Sequence, residues 1–362
     1  MIIREDRNQI TMRAWDKWHA HFRQEALQKF MVETFLKYGW RHRVVAEPNT
    51  DPPILTGKMA ITYCREIEKL ACQFPASEHF QPVPTIQITE ETTAPTIHEA
   101  FVLGVKVAKI YPRYVTTGSE HGVVDYTKTY PALEMAQDKK VIVQFHPEHP
   151  SYGVMGRKKE SAFRSILDDI RRRFPDLKIS VEHVSSADMV MWVMDQPQNV
   201  GAGITVQHIY LTADDLSGYS KRSKGLVCVH DGAFKPGAKD PQDREAVCEA
   251  ALSGNPKFWS ADDDAWHLRS KKECARSACG AANTIAAPSM LLSFFEENGK
   301  LEAAEPFLSE FGAKFYGFEL NKETVTFVRE EWIVPEEIPI PKLKDSVIPW
   351  FAGETMQWKL VG

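Results

Sequence analysis

His19 and His21 stand one residue apart in the stretch KWHAHFR (17 to 23), and Arg23 follows two positions later. On a β-strand, residues i and i+2 point to the same face, so the two imidazoles would converge on one point. Convergent imidazoles suit a metal ion, but an H-x-H pair alone is as readily two core or surface histidines. Four more chemistry-bearing side chains bear on the choice. Lys109 in VKVAKIY, His146 in VIVQFH, His183 in KISVEHV and Asp263 in KFWSADDD all fall within a residue or two of the end of a β-rich run. A purely structural use of polar residues would scatter them along the runs.

Four imidazoles and one carboxylate suit Zn²⁺ or a similar divalent ion. Two such ions a few Å apart could share a hydroxide whose pKa is lowered to about 7. Lys109 is the odd member, since an ammonium would repel cations; burial and neighbouring positive charge favour its neutral form. A neutral lysine can take up carbon dioxide and become a carbamate, an anionic donor able to bridge two ions. The stretch VIVQFHPEH can be read in more than one register, so Gln144 and His149 compete with His146. Asp262 and Asp264 flank Asp263, which is favoured by alternation and by the four-residue step to His267. His208 is expected to be packed or to support a ligand, and His42, His79 and His98 are expected at the surface.

The elements that must position these residues alternate short β-rich runs with amphipathic helical runs, the pattern of repeated βα units around a parallel sheet. Eight strands are predicted, over 10 to 22, 43 to 48, 83 to 88, 105 to 111, 141 to 146, 178 to 184, 202 to 211 and 257 to 262. Helices are predicted over 23 to 39, 161 to 174, 186 to 196 and 243 to 254, with further helices over 289 to 318 and closing strands at 347 to 362. In the first of these, Ala26, Leu27, Phe30, Met31 and Phe35 recur at three- and four-residue spacing before Gly39. The expected architecture is α/β, a (β/α)8 TIM barrel with a binuclear metal site at its C-terminal face. No repeat or hinge composition interrupts it, so residues 1–362 are read as one domain.

The bulk composition excludes several classes of function. A net charge of -5, with 26% charged residues and no basic stripe, argues for a small-molecule substrate and no nucleic-acid partner. The stretch MIIREDRNQITMRAW lacks the apolar core of a signal peptide, and no 18-residue apolar run follows, so a cytoplasmic protein without a membrane partner is expected. Six cysteines without a C-x-x-C pair fit reduced thiols.

Taken together, these residues resemble dihydroorotase in its short single-domain form, within the amidohydrolase superfamily. The stretches that carry the likeness are WHAHFR (18 to 23), PNTDPPILT (48 to 56), AKIYPRYVTTGSEHGV (108 to 123), LKISVEHVSS (177 to 186), AWHLRSKKE (265 to 273), KFYGF (314 to 318) and FAGETMQW (351 to 358). The resemblance implies interconversion of N-carbamoyl-L-aspartate and L-dihydroorotate in pyrimidine biosynthesis. It implies two zinc ions, one held by His19, His21 and Asp263, the other by His146 and His183, with carboxylated Lys109 bridging them. Asp263 would also carry the catalytic proton. Arg23, Asn49 and His267 would grip the substrate's carboxylate, and Thr116 and Thr117 would close over it from the loop at 111 to 123. A homodimer is expected as well.

Several positions depart from the family pattern. Lys17 stands where an aspartate is usual, Glu47 replaces the methionine of MPN, HPE replaces HGE, and DDDAWH replaces TDSAPH. The stretch CVHDGAFKP (228 to 236), in the loop after the seventh strand, differs too. Two alternatives follow from these differences: a hydrolase of another cyclic amide or imide such as a hydantoin, or a catalytically silent homologue kept for binding.

Overall fold

In the computed structural model the described residues are 3–6, 8–151, 153, 155–217 and 228–361; Met1, Ile2 and Arg7 of the N-terminal stretch and the final Gly362 lie outside them. Parallel strands run in chain order around one sheet: β1 (Lys17–His21), β2 (Arg43–Ala46), β3 (Gln81–Ile88), β4 (Val107–Ile110), β5 (Ile142–Phe145), β6 (Lys178–Val181) and β7 (Val200–Ile204). The eighth position is filled by one interrupted stretch, β8, made of Phe258–Ser260 and Asp264–Ala265. Its first segment pairs with β7 and its second with β1, so the stretch joins both edges of the sheet and completes the expected α/β barrel. Closure costs β8 its continuity: residues 261 to 263 leave the ladder between the two pairings, and Asp263 turns there with φ +48°.

Most barrel strands are buried along their length, as a parallel sheet covered on both faces requires. Outer helices start where the sequence supplies caps: Thr56, Thr93 and Ser186 accept from backbone N–H groups of Gly57–Ala71, Ala94–Val102 and Ala187–Asp195. Inside the barrel, Trp18, Val45, Val83, Val107 and Trp259 form a floor sealed by Phe315 and Tyr316. The Tyr316 ring stacks on Trp18 at 4.5 Å between centroids. Gly312 permits this approach, since a Cβ there would lie 2.1 Å from the Trp18 indole nitrogen.

Two predicted strands are revised. The run 10 to 22 is two strands in different sheets: Gln9–Arg13 pairs with Thr324–Ile333 in a small antiparallel sheet outside the barrel, and β1 starts at Lys17. Both halves alternate polar and apolar residues, so periodicity could not separate them. The run 202 to 211 is β7 followed by a short helix, Val206–Tyr210, capped by Thr205, whose hydroxyl accepts from the His208 N–H. A third revision is His42, which is buried rather than at the surface, its ring stacked on His79 at 5.6 Å. Among the described residues no helix is long and apolar enough to cross a membrane.

Candidate metal and substrate site

The C-terminal ends of the barrel strands bring the two histidines of β1 against the turn inside β8. His19 Nδ1 donates to Glu182 at 2.7 Å and His21 Nδ1 donates to Asn49 Oδ1 at 2.6 Å. The Asn49 amide is oriented by its other end, which donates to the Thr117 carbonyl at 3.0 Å. With both Nδ1 atoms donating, the neutral rings present bare Nε2 lone pairs, and these face one another at 3.3 Å. Asp263 Oδ1 faces the same point, 3.2 Å from His19 Nε2 and 3.1 Å from His21 Nε2. Burial lowers the His19 pKa to about 3, so its ring is neutral. Three lone pairs aimed at one buried point repel unless a cation lies among them. The arrangement therefore fits a divalent ion, with Glu182 and Asn49 fixing the tautomers.

A second set lies beside the first. His183, just past β6 with φ +40°, has its ring 5.3 Å from that of His19 and 4.5 Å from that of His146. Its Nδ1 is buried without a hydrogen-bond partner, as is Lys109 Nζ on β4. Burial and the neighbouring His146 drive His183 far below the ordinary histidine pKa, leaving it a neutral donor. His146 Nε2 donates to Glu148 at 2.8 Å, which leaves the lone pair of the ring on Nδ1. The register of VIVQFHPEH follows: Gln144 is on the barrel floor, donating to the Trp18 carbonyl and the Tyr316 hydroxyl. His149 sits at the rim, accepting from the Ser151 N–H. His208 faces away from the cluster, 2.9 Å from the Pro236 carbonyl and packed on Phe234.

Beside these groups opens a cavity of about 460 Å³ lined by His21, Arg23, Asn49, Tyr63, Thr117 and Gly118, a size suited to a small ligand. Arg23, in the left-handed region at φ +59°, donates from Nε to the Trp266 carbonyl and reaches His267 Nε2 with Nη2 at 3.0 Å. The loop at 111 to 123 is tied down over this cavity. Ser119 donates to the Thr116 carbonyl, and the Thr117 hydroxyl bridges the N–H and carbonyl of Cys279. Thr117 thus lines the cavity directly. Thr116 holds the turn through its backbone.

The departures in the sequence prove to be linked. Lys17 is fully buried and paired with Asp262 at 2.9 Å and Asp264 at 3.5 Å, with its ammonium 3.7 Å from the Trp40 ring centre. Trp266 donates its indole N–H to Asp264. The basic residue, the extra acids and the bulky indole are parts of one network under Asp263. Sequence reasoning missed Glu182, whose signal was its position directly before His183, and Tyr111, which donates to Glu47 at 2.7 Å.

No family model matches the chain. It is 35% identical over 359 residues to a dihydroorotase of Marinomonas sp. (strain MWYL1), covering 98% of this chain and 99% of the relative. Among solved structures it is similar to dihydroorotase from Saccharomyces cerevisiae in complex with 5-fluoroorotic acid, with a TM-score of 0.86, 27% identity and 98% of both chains covered. An L-hydantoinase from Arthrobacter aurescens shares the fold at a TM-score of 0.78, with 15% identity, 98% of this chain covered and 83% of that one.

Proposed function

The chain belongs to the dihydroorotase family, and from that premise we propose that it interconverts L-dihydroorotate and N-carbamoyl-L-aspartate. The observation that carries the proposal is the buried convergence of His19, His21 and Asp263 lone pairs beside the Arg23 cavity. In this reading His19, His21 and Asp263 hold one zinc ion and His146 and His183 a second. Lys109 lies between them as a carbamate, formed when its neutral amine bonds to carbon dioxide and releases a proton. Among the described residues Lys109 Nζ makes no hydrogen bond and lies at ion-pair distance, 3.4 Å, from Glu47 alone, while His183 Nδ1 is buried with no partner; both support this, because each has bonding capacity left. Bound ions supply an activated water and polarise the amide carbonyl.

The chain's own residues do the rest. Arg23, Asn49 and His267 orient the substrate's carboxylate, for which the Arg23 guanidinium offers a planar fork at the cavity wall. Thr116 and Thr117 keep the loop closed and water out. In hydrolysis an oxygen–carbon bond forms at the ring amide carbon and the carbon–nitrogen bond breaks. Asp263 takes the proton from the water and returns it to the leaving nitrogen, a role its central position supports. The hydantoin alternative has its neighbours only at the level of fold.

Residues 1–362 act in this proposal as one domain, in a homodimer in the cytoplasm. The free cysteines support a reducing compartment, and light scattering tests the dimer. The function itself is tested by following ring opening of dihydroorotate by ultraviolet absorbance with zinc-loaded protein. Turnover of dihydroorotate is expected; its absence alongside hydantoin hydrolysis would overturn the assignment.

A further inference from the structure

Glu47 follows β2 where the family carries an apolar methionine, and its carboxylate is fully buried within the candidate metal site. One oxygen is occupied: Oε2 accepts from the Tyr111 hydroxyl at 2.7 Å and lies 3.4 Å from Lys109 Nζ. The other is not. Oε1 is buried without a hydrogen-bond partner and lies 3.9 Å from His19 Nε2, the lone pair that faces His21 and Asp263. A buried carboxylate needs a positive partner, and an orphaned oxygen carries the full cost of its desolvation. Lys109 can be that partner only as an uncarboxylated ammonium; as a carbamate it becomes an anion beside Glu47. The positive charge left within reach is then that of the ions themselves.

We propose that Glu47 is a further metal ligand of this protein, its Oε1 entering the site beside His19. The inference rests on the binuclear reading above and adds to it a carboxylate that the family pattern lacks. Tyr111 serves as the positioning residue, holding Oε2 so that Oε1 faces inward. The added carboxylate lowers the net positive charge of the ion cluster, so the chain should retain its metals more firmly than the six residues implied by the family would alone.

The test uses full-length protein stripped of metal and reloaded with Co²⁺, whose visible absorption reports ligand number and type, together with chelator competition for Co²⁺. Glu47→Gln preserves shape and removes the anionic donor, whereas Glu47→Asp keeps the charge but withdraws it by one methylene. Both variants are expected to show an altered Co²⁺ spectrum and metal affinity weakened by at least about tenfold, in the range seen when groups around a metal are removed. Circular dichroism checks that each is folded, and the Asp variant serves if the Gln variant is not. A wild-type spectrum and affinity in Glu47→Gln would overturn the proposal. So would wild-type behaviour in Glu47→Asp, which would make Glu47 only a charge partner of Lys109. Wild-type protein that binds no Co²⁺ would instead remove the metal site itself.

Discussion

Arg23, half-buried at the cavity wall, and the buried His208 at the same barrel end differ in what they touch. Arg23 lines the cavity but touches none of the converging lone pairs, its donors running to Trp266 and His267. Arg23→Ala is therefore expected to raise KM for dihydroorotate at least about tenfold, with metal content unchanged by elemental analysis. His208 is neutral in the fold because burial lowers its pKa to about 4, against 6.5 in the unfolded chain. Its contribution is fully present above pH 6.5 and is lost as pH falls from 6.5 towards 4, because the unfolded chain alone takes up the proton. His208→Gln is expected to flatten the fall of urea-unfolding free energy between pH 6.5 and 4.5, by up to about 1.4 kcal/mol per pH unit. An unchanged slope would show that His208 titrates in the native state.

At the scale of elements, two connections can be separated by experiment. The loop at 111 to 123 meets the chain after β8 through Thr117 and Cys279, and the chain after β2 through Asn49. Replacing Thr116 and Thr117 together by alanine removes the Thr117 hydroxyl bridge to Cys279 while sparing the metal-facing atoms. Turnover is expected to drop at least about tenfold, ~1.4 kcal/mol of barrier, at constant metal content. Wild-type kcat would reduce the loop to a connector. The second connection ties β1 to β8 through Lys17, Asp262 and Asp264. Lys17→Met strands two buried carboxylates, and burial already lifts Asp264 to about 6 with the lysine present. A loss of about 3 kcal/mol in urea unfolding is expected. Adding Asp262→Asn and Asp264→Asn should recover most of it, and a triple variant no more stable than Lys17→Met would refute the coupling.

For the molecule as a whole, the metals and the closed barrel are expected to stabilise each other. The proposed ligands come from β1, β4, β5, β6 and β8 or the residues just after them, so ions bound among them would favour the closed sheet and have no comparable site in the unfolded chain. Stripping the metals should lower Tm by at least about 5 °C, restored by adding Zn²⁺, since a ligand at a thousandfold its Kd contributes about 4 kcal/mol. Scanning calorimetry checks this, and an identical apo and loaded Tm would contradict it.

The sequence alone determined the α/β repeat, because apolar strand runs and helical stripes have periods that local chemistry imposes. It also placed His19, His21, Lys109, His183 and Asp263 at strand ends, since strand ends are marked by turn residues close by. Other facts depend on partners far along the chain. The division of the run 10 to 22 was set by pairing with Thr324–Ile333, more than 300 residues away, which no local period records. The placement of Gln144 on the barrel floor required the Tyr316 hydroxyl beside it. Lys17 and the aspartates of DDDAWH read separately as departures; the closure of β8 onto β1 makes them one buried ion-pair network. Likewise Glu47 reads as a lone substitution until tertiary structure buries it against Lys109 and His19, because burial removes the water that would otherwise satisfy its second oxygen.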